Sequence, residues 1–165
     1  MMRFFISMLF FYFLTACQVT LLNYISFDFL KADLGIPFIV YEAFFGNMNL
    51  AFWIALSIGL IQEGFSSSSA CAIVFGKLSI FLFCFFMKKR LYIESEYTFG
   101  AMCGVCELTE SLLVLGLYLI AKGDVSNALN ILIYVLPGAT LSALFSFPIY
   151  YIYKSFEQKY GEREW

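Results

Sequence analysis

Six apolar stretches divide the chain, at about 4–26, 34–46, 48–62, 70–87, 97–121 and 127–153, and polar residues gather between them instead of alternating through them. That pattern predicts helices rather than half-buried strands. A helix needs about 20 apolar residues to cross a bilayer core, and four of the six stretches reach that length alone. The second and third are separated by "GNMN" at 46–49 and predict two short helices of about 20 Å each, set against longer neighbours in an irregular bundle.

Composition agrees with a bilayer rather than a water-facing globule: 62% of residues are hydrophobic, 21% aromatic and 13% charged. The expectation is an all-α integral membrane protein with a single polytopic domain over 1–165, about six transmembrane helices and a short cytoplasmic tail. Arg3, Lys88, Lys89, Arg90, Lys154, Lys159 and Arg163 then share the cytoplasmic side, with both termini there. A five-span arrangement with the N-terminus outside satisfies the same rule by exchanging Arg3 for Lys31, and the charged amine beside Arg3 favours six. Within the first stretch, Leu14-Thr15-Ala16-Cys17 resembles a lipoprotein cleavage site. The apolar run continues past Cys17 through "VTLLNYISF", which favours an uncleaved helix.

The chain has no histidine, so the commonest general base and metal ligand are missing. No Ser-His-Asp set, P-loop or GxSxG element is present. Cys103-Gly-Val-Cys106 has redox or zinc spacing but lacks a second pair to complete four ligands, so no metal or cofactor is expected. A net charge of −2 without a broad basic surface argues against nucleic acid.

Charged residues inside apolar segments carry more information, because each needs a partner or water. Glu42, Lys77, Glu107 and Glu110 form the candidate intramembrane polar network. Lys77 and Glu107 each lie ten residues, about 15 Å, from the cytoplasmic side of a helical hairpin, which predicts a structural ion pair between them, with a polar cavity or proton relay as the alternative, and leaves Glu110 unpaired. Gly100, Cys103, Gly104, Glu107, Glu110 and Ser111 share one helical face and should meet protein. Met102, Val105, Leu108, Leu112 and Leu115 fall mainly on other faces. Gly100-x-x-x-Gly104 allows two backbones to approach, within the bundle or against a partner's helix, and the first is the commoner use of such spacing. Pro137 and Pro148 interrupt the last stretch and should bend it.

The order of these features resembles the rod shape-determining MreD family. Pro37 opens the short second helix. Gly59-Leu60-Ile61-Gln62-Glu63 is similar to a Gly-Leu-apolar-x-Asp motif that closes the third, with Glu in place of Asp. Lys88-Lys89-Arg90 follows the fourth, Glu110-Ser111-Leu112-Leu113 matches a Glu before a Leu-rich run, and "TLSALFSFP" places Pro148 at a family Pro and Ser142 where an Asn is usual. The resemblance implies a non-enzymatic inner-membrane subunit of the bacterial cell-elongation machinery, organising peptidoglycan synthesis during lateral growth. Its implied partners are MreC and, through it, MreB, RodA and the elongation-specific penicillin-binding transpeptidase. It also implies a fold similar to the substrate-binding subunits of energy-coupling-factor vitamin transporters. That supplies an alternative role, although residues 4–26 hold no Ala-x-x-x-Ala docking motif.

Overall fold

The computed structural model describes residues 33–65, 71–122 and 125–161. The first apolar stretch, Cys17 and the serine run at 66–69 lie outside them. Every regular element among the described residues is an α-helix: α1 Gly35–Phe44, α2 Met48–Phe65, α3 Ala72–Lys88, α4 Glu96–Lys122 and α5 Val125–Gly161. Two of these are long and apolar enough to cross a membrane: α4 over Glu96–Leu117, 22 residues, and α5 over Val135–Ser155, 21 residues.

Several boundaries differ from the sequence expectation. The "GNMN" break does separate two helices, but they are unequal. α1 has 10 residues and α2 has 18, so α2 reaches about 27 Å at the usual helical rise. Gln62 and Glu63 do not stop α2, because both carboxamide and carboxylate find partners on neighbouring elements. At the other end of the chain, α5 runs for 37 residues, through both Pro137 and Pro148 and through the polar residues 154–161 that read as a tail. A proline deletes one backbone donor and crowds the carbonyl four residues before it, a local cost that packing against a neighbouring helix offsets. A helix packed along its neighbour therefore continues through it.

The helices bury one face each. On α2, Ala51, Ile54, Ala55, Ile58 and Gly59 recur at helical spacing and turn inward, while Phe52, Trp53 and Leu60 are exposed. On α3, Gly76, Lys77, Ile80 and Cys84 turn inward and Phe75, Leu82, Phe85 and Phe86 outward. α1 is buried almost all round, with seven of its first residues from Gly35 to Tyr41 inside. It contacts every other described helix. Its far end carries an aromatic cluster in which Tyr41, Phe45, Phe99 and Tyr150 meet at ring separations of 5.0–6.4 Å, with Tyr153 4.4 Å from Tyr41.

Close approach between helices depends on glycine at two interfaces. A Cβ on Gly59 would lie 2.8 Å from Val74 Cα, so the α2–α3 contact admits no side chain there. Gly100 and Gly104 face α5, where a Cβ would meet the Ala143 carbonyl at 3.4 Å and the Ala139 carbonyl at 3.5 Å. The small-residue pair thus serves the α4–α5 interface inside the bundle. Of the residues assigned to the other faces of α4, Val105 and Leu112 are exposed and Leu108 is intermediate. Met102 and Leu115 are buried instead, because α4 is enclosed on more than one side.

Gly59→Ala is expected to destabilise the protein by about 1–3 kcal/mol, since the obstacle is backbone rather than a movable side chain. Gly116→Ala, where the added Cβ meets nothing within 4 Å, should raise stability by about 0.5–1 kcal/mol. Thermal unfolding in detergent with paired measurements on both variants checks the contrast.

Candidate functional site: a buried ionic cluster

One end of the bundle gathers polar groups from all five helices or their flanks. Asp33 stands one residue ahead of Leu34, the N-cap of α1. Its carboxylate accepts from the Gly35 amide at 2.7 Å, a local Asx turn that orients the side chain before the helix begins. Gln62 near the end of α2 donates its carboxamide N–H groups to both Asp33 oxygens at 3.1 Å. Lys77 on α3 donates to Asp33 Oδ2 and to Glu110 on α4, with Nζ 2.6 Å from Oε1 and 2.7 Å from Oε2. Lys77 is 0% exposed. An ammonium so enclosed is tolerable only because two carboxylates share it.

The expected Lys77–Glu107 pair is therefore corrected: Lys77 pairs with Glu110 and Asp33, and Glu110 is not unpaired. Counting helical depth from Cα to Cα put Lys77 opposite Glu107. Helical side chains tilt toward the N-terminus of their own helix. In the antiparallel α3–α4 hairpin that direction carries the ammonium one turn further along α4, to Glu110. Gly76 makes the room, since a Cβ there would stand 3.1 Å from Glu110 Cγ and Oε1.

Glu107 meets a different group. Ser142 Oγ on α5 lies 3.2 Å from Glu107 Oε2 and 3.4 Å from the Asp33 carbonyl oxygen, so the hydroxyl joins α4, α5 and the start of α1. Glu63 also has a defined place. Its Oε2 accepts from the Val74 amide at 3.2 Å, in the first turn of α3. The N-cap of that helix, Cys71, has a left-handed φ of 72° and provides no side-chain cap. A carboxylate from α2 thus satisfies one of the four orphan N–H groups of α3.

Of the sequence candidates, Lys77, Glu107 and Glu110 come together, with Gly59, Glu63 and Ser142 around them. Gly59 backs the lysine stem, 3.5 Å from Lys77 Cγ to a built Cβ. Pro37 is buried in α1. Glu42 is not brought into this cluster. It lies nine residues beyond Asp33, about 13 Å along the helix, with its carboxylate against Gly46 and close enough to Tyr153 to interact electrostatically. Asp33, Gln62 and Gly76 are the site residues that the sequence reading missed. Asp33 falls between the first and second apolar stretches, where a connecting segment is expected. The available signal was the Asp-Leu-Gly step at a helix start, together with a lone intramembrane lysine that needs more than one acceptor.

Three of the described thiols are buried on α3 and α4. Cys84 Sγ and Cys106 Sγ are 3.8 Å apart, and Cys103 is also buried. Among the described residues no set of three metal-binding side chains is arranged to hold an ion. Comparisons with protein-family models, with curated proteins and with solved structures found no match to this chain.

Double-mutant cycles should separate the two glutamates. Lys77→Met alone is expected to cost about 3–5 kcal/mol, because it leaves buried carboxylates without their cation. Adding Glu110→Gln should recover about 1–3 kcal/mol of that loss, while adding Glu107→Gln recovers much less. Folded yield and thermal unfolding of the detergent-solubilised protein measure both couplings. Equal coupling to the two glutamates would contradict the geometry.

Proposed function

We propose that this chain is a non-enzymatic, multi-pass subunit of the bacterial inner membrane that binds MreC within the cell-elongation machinery. It works through MreC with MreB, RodA and the elongation-specific transpeptidase during lateral wall growth. In this reading about six helices cross the membrane, the first of them within residues 4–26, and both termini are cytoplasmic.

The observation that carries the reading is where the family-like positions fall. Gly59, Glu63, Glu110 and Ser142 are far apart in sequence, yet each touches the same buried cluster or the α2–α3 contact beside it. The two departures from the family pattern keep polar chemistry there: Glu63 still presents a carboxylate and Ser142 still presents a hydrogen-bonding group. A membrane setting is supported by a charged group enclosed in the bundle and large apolar groups on its outside. Lys77 is 0% exposed, while Phe86, Leu60 and Trp53 are 65%, 58% and 51% exposed. Exposed aromatic and aliphatic side chains on this scale suit lipid. The exposed Lys88, Lys89 and Arg90 close α3 where a cytoplasmic membrane surface would lie.

Affinity capture of the tagged full chain from mild detergent, with partners identified by mass spectrometry, tests the proposal. MreC and elongation proteins are the expected partners. Recovery of a transporter's ATPase module in their place would move the chain to the vitamin-uptake class.

A further inference from the structure

We infer that Cys84 and Cys106 form a redox-active dithiol that hydrogen peroxide converts to a disulfide, joining α3 to α4 covalently.

Cys103 and Cys106 have the spacing of a redox pair in the sequence, but both lie within the continuous helix α4. Residues three apart on a helix hold their Cβ atoms about 5–6 Å apart, beyond the roughly 3.5–4.5 Å that a disulfide spans. Cys106 meets its partner across the helix interface instead. Its Sγ lies 3.8 Å from Cys84 Sγ on α3, in S–H···S contact. Closing that gap to the roughly 2.05 Å of an S–S bond asks each sulfur to move about 0.9 Å. The two sulfurs share a seam with the ion pair: Cys84 is seven residues, two turns, beyond Lys77, and Cys106 is four residues, one turn, before Glu110. The ionic contact holds α3 against α4 and so keeps the thiols facing each other.

Cys84, Cys103 and Cys106 are wholly buried, and burial selects the oxidant. A charged or bulky reagent has no route to these sulfurs, whereas hydrogen peroxide is uncharged, little larger than water, and enters through local opening of the bundle. In the first step the electron pair of one sulfur attacks a peroxide oxygen and the O–O bond breaks, giving a sulfenic acid and water. In the second, the other sulfur attacks the sulfenic sulfur, the S–O bond breaks, and hydroxide leaves with the thiol proton as a second water. Two thiols thus give up two hydrogens and two electrons, and one peroxide becomes two waters. Contact between the sulfurs puts the trapping thiol beside the sulfenic acid as it forms, so the disulfide outruns a second oxidation to sulfinic acid. A thiol reductant reverses the link. While it lasts, α3 and α4 stay joined independently of Lys77 and Glu110.

Oxidation of the detergent-solubilised full chain with hydrogen peroxide tests the pairing. After the remaining thiols are blocked under denaturing conditions, trypsin cleaves at Lys88, Lys89 and Arg90, between the two cysteines. The peptides carrying Cys84 and Cys106 should stay joined in the monomer until a reductant is added, and fragmentation in the mass spectrometer should place the bond on Cys106. Cys103→Ala should link as fully as the unsubstituted chain, and Cys84→Ala should give no link to α4. Peptides that separate without reductant, sulfinic acid in place of the bond, a bond to Cys103 or a link between two chains would each overturn the pairing. Should a variant fail to fold, the bond mapped in the unsubstituted chain decides alone.

Discussion

Burying the Lys77 ammonium is the constraint on which this bundle depends. A lone cation inside an apolar helix pair costs several kcal/mol, and one carboxylate in imperfect geometry does not offset that. Here Glu110 takes the ammonium across the α3–α4 interface and Asp33 takes it from the segment leading into α1. The positions of three elements are fixed together, because moving any one strands a charge. Gln62 extends the same restraint to α2 by binding the Asp33 carboxylate.

Small residues allow the polar groups to meet. Gly76 leaves space for the Glu110 side chain, and Gly59 lets α2 and α3 approach until the lysine stem packs between them. The opposite end of α1 is held differently. There the Tyr41, Phe45, Phe99, Tyr150 and Tyr153 rings pack where the ionic cluster has no reach. α1 is thus pinned by charge at its start and by aromatic area at its end. With only 10 residues it has too few backbone hydrogen bonds to be stable alone, and its order derives from what surrounds it.

Periodicity made the helices legible, since inward positions on α2, α3 and α4 recur at three and four residues. The α4 stripe from Gly100 to Glu110 was legible because polar and small residues mark it against an apolar background. Ends were harder. Gln62, Glu63 and the Lys154–Gly161 segment look like interruptions until neighbouring partners or helix continuity are known. The ionic pairing differs from the expectation by one turn because spacing along the chain sets Cα register, while the lysine acts through an ammonium at the far end of its side chain. Asp33 was illegible for a related reason. Its role depends on α1 folding back beside α3, a tertiary fact that a charged residue between two apolar segments does not announce.

An ionic cluster buried between helices has little freedom to act at a surface. Lys77 and Glu110 are committed to each other, so in the membrane reading proposed above contacts with other helices would fall to exposed side chains such as Trp53, Phe75 and Leu144. Within lipid, burial of apolar area adds little to such contacts, because the tails are as apolar as the side chains. Shape and small-residue packing must then decide affinity. The ionic cluster contributes indirectly, by holding the helices in one register so that the outer surface keeps a single shape.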